Sequence, residues 1–507
     1  MTDVIVIGAG PNGLVAACVL ARAGLRVQVL EAEPEPGGAL RTRETTLPGF
    51  LHDVGAAFFP FGAVSPALKA LELEGAGLVW RHGALDSAHP ARDGSCSAIA
   101  RDVDRTAEIL GEDGDAWRDV ASWWADAQER LLPALLSTFP PIRAGLSIGP
   151  RSILRLASAA LSSGRGFSDR TFSTEAARRM IPALALHTDV GPDDPLGAIV
   201  GFMLAMTASY GGFAVPRGGA GAITRALVTR LEQAGGSISC GTRVARIIVR
   251  DGRAAAIVTD GGEEIAARHA VLADTSAPAL FLRLLPEAHV PTPVADAMRR
   301  FRRGFGTFKM DWALSAPVPW SAAPAREAAV VHTGEDNDDL ARFAAEVRSG
   351  VLPRDPYLVI GQQSLLDPTR APAGRQTLWA YSRVPNGRVV TIDHDTAERF
   401  ADRIEHRIEE LAPGFRQSIL ARKIFAPRDL EALDANLEGG DLGGGTADIS
   451  NQLFLRPMFP YFRYRTPVRG LYLASSYAHP GAGVHGMCGF NAANAALDDL
   501  ASRSPRA

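Results

Sequence analysis

Apolar and polar positions fall along this chain in blocks that predict its elements. Val4 to Ile7 is an unbroken β-branched, apolar run, the pattern of a strand covered on both faces. The turn Gly8-Ala9-Gly10-Pro11-Asn12-Gly13 separates it from a helical stretch, Leu14 to Ala23, which Gly24 can stop. A second apolar run, Arg26 to Leu30, predicts another strand and ends on the acid Glu31. A related order closes the chain: a strand at Leu471 to Ala474, a glycine-rich stretch, then a helical pattern from Asn491 to Leu500. Between these ends, Trp117 to Leu136 reads as an amphipathic helix. Ile142 to Leu161 mixes apolar residues with Arg143, Arg151 and Arg155, and Arg165 follows. Leu196, Ile199, Val200, Phe202, Met203, Leu204 and Met206 form an apolar stripe, either core or the wall of a greasy pocket.

The N-terminal order of strand, glycine turn, helix, strand and acid carries chemistry. Gly8 permits the tight turn, Gly10 lets backbone approach a diphosphate, and Gly13 lets helix and strand pack closely, with the helix N-terminus facing the phosphates. Pro11 and Asn12 complete that turn. Glu31 stands where a carboxylate accepts hydrogen bonds from ribose hydroxyls, which favours a ribose without a 2′-phosphate. Gly481-Ala482-Gly483-Val484-His485-Gly486 repeats the glycine spacing near the other end. No further strand with a ribose-binding acid follows it, so a second complete dinucleotide unit is not expected there. A glycine-lined helix entrance that stabilises negative charge is the alternative.

Length and composition narrow the classes. A chain of 507 residues predicts two structural domains. Hydrophobic residues at 46% and charged residues at 21% are globular proportions, which argues against fibrous or disordered classes. With 53 basic against 56 acidic residues, the basic excess needed to bind a phosphate backbone is missing, and no nucleic acid partner is expected. Cys18, Cys96, Cys240 and Cys488 form no Cys-x-x-Cys pair, so disulfide reduction, a disulfide framework and a zinc site are not expected, and a cytoplasmic setting fits. The 11 histidines show no metal-ligand spacing, so no metal is expected either. The run from Asp3 to Gly8 is too short for a signal peptide, and no apolar stretch suffices to span a membrane.

Several further segments carry a family resemblance. Pro36-Gly37-Gly38-Ala39-Leu40-Arg41-Thr42 precedes His52-Asp53-Val54-Gly55; Val215-Pro216-Arg217-Gly218-Gly219-Ala220 lies near the middle. Thr242 to Ile247 leads on through Val271 to Asp274, and Gly470 to Ser475 runs into His479 to Gly489. In these segments the chain resembles the phytoene (carotenoid) desaturase-like branch of the FAD-dependent amine oxidase and glutathione reductase-type flavoproteins. The resemblance implies an α/β fold: an interrupted Rossmann-type FAD-binding domain from residues 1–75, 215–286 and 456–507, and an α+β substrate domain from 76–214 and 287–455. It implies that Gly8, Gly10, Gly13 and Glu31 hold the ADP half of FAD. Gly38, Ala39 and Arg41 would lie beside the diphosphate and ribityl chain, and the backbone of Val244 would touch adenine. Many relatives place an acid after the last strand, where this chain has Ser475, a neutral partner for the ribityl chain; Gly483 and Val484 belong to the closing flavin motif.

The function expected from this reading is transfer of a hydride from a substrate C–H to flavin N5, with a base or water taking a proton. The substrate is a small, apolar, polyene-like or ring molecule. Tyr477, His479 and His485 are the candidates to shape that step. The electron acceptor stays open among oxygen, a quinone and a nicotinamide, as do peripheral membrane contact and oligomerisation. An amine oxidase, a redox-neutral flavin isomerase and a non-catalytic flavin-binding interaction protein are the alternatives.

Overall fold

The computed structural model of the protein describes residues 2–142 and 148–502, and Arg143 of the basic stretch lies outside them. The predicted first strand, Thr2–Ile7, sits in the middle of a parallel layer because Val4, Ile5 and Val6 have no solvent-exposed surface. It pairs with Val27–Leu30 on one side and with the long strand Glu264–Ala273 on the other. Leu471–Leu473 lies beyond Glu264–Ala273, and Ser237–Ser239 lies beyond Val27–Leu30. Registers Ile7↔Leu30, Ile7↔Ala273 and Ala273↔Leu473 bring the carboxyl ends of four strands to one edge. In open parallel sheets that edge is where ligands bind. Glu264–Ala273 also pairs in antiparallel fashion, through Glu264 to Ala266, with Arg253–Thr259, which itself pairs with Val244–Arg250.

Helices cover the layer. The N-terminal helix runs Pro11–Arg22, three residues earlier than the apolar spacing predicts, because proline at its first position supplies the helical φ without an unpaired N–H. The C-terminal helix, Met487–Ala501, begins a turn before the predicted Asn491; Gly486 at φ +68° reverses the chain and starts it. The two helices pack so closely that a Cβ on Gly489 would stand 1.9 Å from the Asn12 carbonyl oxygen.

The second sheet runs in the order Ile419–Phe425, Gly306–Leu314, Gln376–Val384, Val359–Gly361, Ala328–His332, Leu85–Pro90, Cys96–Ile99. Its pairings are antiparallel except that between Ala328–His332 and Leu85–Pro90. One face joins a separate core around Phe308, Met310, Trp312 and Phe400. The other turns toward the parallel layer and presents Lys309, Asp311, Trp379, Tyr381 and His332. The helix Gly114–Leu136 matches its expected amphipathic pattern, with Trp117 and Trp124 inward. The stripe before Tyr210 lies in the helix Gly197–Gly211, where Phe202, Leu204 and Met206 belong to the main core. In Pro150–Leu161 the outcome is reversed: Leu154 and Leu161 point outward, 72% and 82% exposed.

Candidate functional site

The carboxyl edge of the parallel layer collects the glycine motifs into one groove. Glu31 accepts hydrogen bonds from the amides of Ala9 at 2.7 Å and Glu33 at 2.9 Å, which fixes its carboxylate beside the first turn. Its carbonyl takes the Thr242 amide at 2.7 Å, so the strand beginning at Val244 starts next to Glu31. A Cβ on Gly13 would lie 2.2 Å from the Gly8 carbonyl oxygen, and one on Gly10 would lie 2.6 Å from a carboxylate oxygen of Asp274. Side chains are thereby excluded from the groove floor.

The Gly37-Gly38 turn lies across this floor. A Cβ on Gly38 would stand 3.2 Å from Gly10 Cα, and the Ala39 carbonyl accepts the Ala56 amide at 3.0 Å. Arg41 is buried; its Nε donates to the Gly38 carbonyl at 2.8 Å and its Nη2 to the Leu433 carbonyl. From the other side comes the closing loop. Ser475 is buried and its Oγ accepts the Tyr477 amide at 3.3 Å. Gly483 has φ +138° and Val484 φ +51°, the latter a left-handed conformation that costs a β-branched residue about 1–3 kcal/mol. A Cβ on Gly62 would approach the Val484 carbonyl at 3.5 Å, so this strained turn rests on the helix Pro60–Val64. Gly8, Gly10, Pro11, Gly38, Ala39, Gly55, Ala56, Ser476, Gly483 and Val484 all retain partial exposure among buried neighbours. They form a slot walled by backbone and small side chains with an acid at one end, and such a slot fits an extended dinucleotide.

Each candidate catalytic residue is already hydrogen-bonded to protein. The Tyr477 hydroxyl donates to the Asn436 carbonyl at 2.9 Å, and burial holds its pKa well above the usual range. The His479 carbonyl accepts from Tyr464 Oη at 2.8 Å; burial and the nearby Arg456 lower the ring to about 4, against hydrogen bonds to the backbone of Leu135 and Ser137. Nδ1 of His485 accepts the Met487 amide at 3.1 Å, and burial lowers this ring also to about 4. Both imidazoles are therefore neutral at pH 7. Arg456 is buried and donates to the carbonyls of Gly443, Gly444 and Ser476.

Several residues take part in the site to which the sequence reading gave no role. Asp274 ends its strand as Glu31 ends another, and its carboxylate accepts the Gly13 amide at 2.8 Å. The acid following a buried apolar run was the available signal. Asp53 and Arg370, both without solvent-exposed side-chain surface, form an ion pair at 2.5 Å; Asp53 also accepts from Thr42 Oγ1 and the Ala220 amide, each at 2.8 Å. That pair fastens the Gly218-Gly219 turn and the second sheet to the groove. Three residues beyond Gly55 of the slot, the Phe58 ring lies 6.3 Å from Trp379, which meets Tyr381 edge-on at 5.1 Å. Tyr381 and Phe213 flank His187 at 6.3 Å and 6.2 Å, and the Arg383 guanidinium lies 5.1 Å from the Tyr381 ring centre. Phe58 and this aromatic wall were not singled out from sequence, because 317 or more residues separate Phe58 from the strand that carries Trp379 and Tyr381. Among the described residues no cluster has the make-up of a metal site, and no helix is long and apolar enough to cross a membrane.

Comparison with known proteins agrees with this geometry. A family model described as flavin containing amine oxidoreductase matches residues 12–496. The chain is 28% identical to pyridine nucleotide-disulfide oxidoreductase domain-containing protein 2 of Rattus norvegicus, over 98% of this chain and 94% of that protein. To the lycopene-forming phytoene desaturase of Pseudescherichia vulneris it is 26% identical, over 98% of this chain and 99% of that one. An oxidoreductase structure from Methanosarcina mazei superposes with a TM-score of 0.65 at 18% identity, covering 98% of this chain and 99% of that one. With the match spanning both sheets and a slot shaped for a dinucleotide, the chain belongs to the flavin-containing amine oxidoreductase family and is an FAD-dependent oxidoreductase.

Proposed function

We propose that this protein is a dehydrogenase or desaturase that oxidises a C–H bond of a neutral, apolar substrate, polyene-like or cyclic. The observation that carries the reading is the aromatic cluster that starts at Phe58 beside the slot, runs through Trp379 and Tyr381 to the Arg383 guanidinium, and has Phe213 on the other side of His187. Aromatic rings bind apolar surface, while a guanidinium at that wall repels a protonated amine. Bound FAD supplies the oxidising group, accepting a hydride at N5. In this reading Gly8, Gly10, Pro11, Asn12, Gly13 and Glu31 hold its ADP half, Val244 borders the adenine, and Gly38, Ala39, Arg41 and Ser475 border the diphosphate and ribityl chain. Gly483 and Val484 carry the closing turn along the flavin, and Tyr477, His479 and His485 hold that turn in shape. Residues 76–214 and 287–455 then shape the substrate space.

Outward Leu154 and Leu161, and Phe459 beyond the Phe139–Phe454 ring contact, support peripheral membrane contact for an apolar substrate. Sedimentation with phosphatidylcholine vesicles tests this. Function is tested by anaerobic absorbance of the purified holoprotein. Bleaching of the oxidised flavin bands by a cyclic or polyene hydrocarbon supports dehydrogenation. Bleaching by primary amines alone, with peroxide released in air, identifies an amine oxidase instead. Turnover that appears only after prior reduction of the flavin identifies the isomerase.

A further inference from the structure

The segment from Leu433 to Glu438 lies outside the dinucleotide and closing-loop glycine turns, yet it touches Arg41, the Gly38 turn, the strand end at Asp274 and the closing loop at Tyr477. Its Leu433 carbonyl receives Arg41, and Asp434 Oδ2 would stand 3.2 Å from a Cβ on Gly38. Asn436 Nδ2 donates to the Asp274 carbonyl at 3.0 Å, and Asn436 Oδ1 accepts the Ser276 amide at 2.8 Å. The Asn436 carbonyl takes the Tyr477 hydroxyl, and Glu438 Oε1 accepts from Ser276 Oγ at 2.6 Å. This is a strap laid over the carboxyl edge of the parallel layer.

The strap brings one carboxyl, Asp434, to the Gly38 side of the groove, while Asp274 stands on the Gly10 side. A missing Cβ at Gly10 is what lets a diphosphate approach backbone, and Asp274 Oδ2 lies 2.6 Å from where that Cβ would be. Two carboxyls therefore flank the place where a doubly negative diphosphate must sit. Ionised, they would repel it; protonated, each becomes an O–H donor. We propose that Asp274 and Asp434 hold the FAD diphosphate as neutral carboxyl groups, so that cofactor binding is coupled to proton uptake. The surroundings favour the neutral forms. Burial raises Asp274 to about 8, Asp434 and Glu31 push the same way, and only the Gly13 amide opposes. Asp434 keeps some exposed surface, and the protein packed around its carboxyl still raises it, helped by Glu33 and opposed by the Asn436 amide and Arg41.

The sign follows directly: groups that must stay protonated in the complex weaken it as pH rises. Protein freed of FAD by dialysis is titrated with FAD between pH 6.5 and 9.5, following quenching of flavin fluorescence, with circular dichroism verifying the fold at each pH. The Kd is expected to rise by about tenfold per pH unit per proton above about pH 8. Calorimetry at pH 8.5 in two buffers of different ionisation enthalpy is expected to show uptake of between one and two protons per FAD bound. Asp274→Asn and Asp434→Asn, which keep a neutral donor, are expected to bind FAD within about threefold of wild type at pH 7, each with less proton uptake. A flat wild-type pH profile, no proton uptake, or wild-type uptake in both Asn variants overturns the proposal. The wild-type measurements decide even if a variant fails to fold. None of these outcomes depends on the substrate, so the oxidoreductase reading stands or falls separately.

Discussion

The two sheets of this protein prepare its site in opposite ways. At the edge of the parallel layer, function depends on atoms that are absent: Gly10 and Gly13 leave room because a methyl group would meet a carboxylate at 2.6 Å or a carbonyl at 2.2 Å. On the inner face of the antiparallel sheet, it depends on atoms that are present. There Lys309 pairs with Asp311 at 2.6 Å, and next to the sheet Arg370, in the turn Pro368–Arg370, pairs with Asp53 at 2.5 Å, all with little or no exposed side chain. The first region binds through backbone and tolerates no additions; the second positions elements through buried charge and tolerates no deletions. A cofactor shared across a family suits the first design, whereas a wall whose side chains can vary suits selection of a substrate.

That contrast can be broken most forcefully from the side of the charges. Arg370→Ala strands Asp53 without its cation, and urea unfolding is expected to show a loss of about 3–5 kcal/mol. A loss below about 1 kcal/mol would mean the pair is dispensable and the contrast too sharply drawn. On the other side, adding one carbon in Gly13→Ala forces backbone against backbone. The expected cost is about 2–3 kcal/mol, with the purified protein losing its yellow colour. Full FAD content in that variant would place the cofactor's approach elsewhere.

Acid acts on the buried side chains of the second region. His89 is buried against His332, with ring centres 4.7 Å apart, and burial lowers it to about 3. Its folded value lies below its unfolded one, so between pH 6.5 and 3 the unfolded chain binds a proton that the native protein does not. Stability is complete above pH 6.5 and falls as pH drops through that window. From pH 7 to 5 this one histidine is expected to remove about 2 kcal/mol, a loss that His89→Asn abolishes in paired urea titrations. The smallest effect is expected at Trp379, whose buried indole N–H has no partner among the described residues. Trp379→Phe deletes an unpaired donor, so the change in stability is expected within about 1 kcal/mol, with FAD content unaltered and the response to substrate weakened. A stability loss several times larger would show the indole packing to be structural.

Legibility follows the same division. Strand, glycine turn, helix and acid from Val4 to Glu31 could be read because each depends on neighbours a few residues away. The helix ends could not be placed so closely: the start at Met487 was set by the reversal at Gly486 and by contact with Asn12, at the other end of the chain. The outward face of Leu154 and Leu161 could not be read for a related reason, since apolar spacing defines a face without saying what it meets. Asp434 and Asn436 carried no motif at all, and the strap exists only because the chain returns from the second sheet over the first.

By itself, the sequence determined the dinucleotide groove, because glycine spacing, β-branched runs and a terminal acid act through local backbone geometry; that the dinucleotide is FAD came from the family resemblance of further segments. Tertiary structure alone decided which carboxyls come up against the Gly10 and Gly38 turns, which aromatic rings gather beyond Phe58, and which charges are buried between the sheets. Those depend on contacts between residues hundreds of positions apart, whose pairing is set by how the two sheets pack and leaves no periodic trace along the chain.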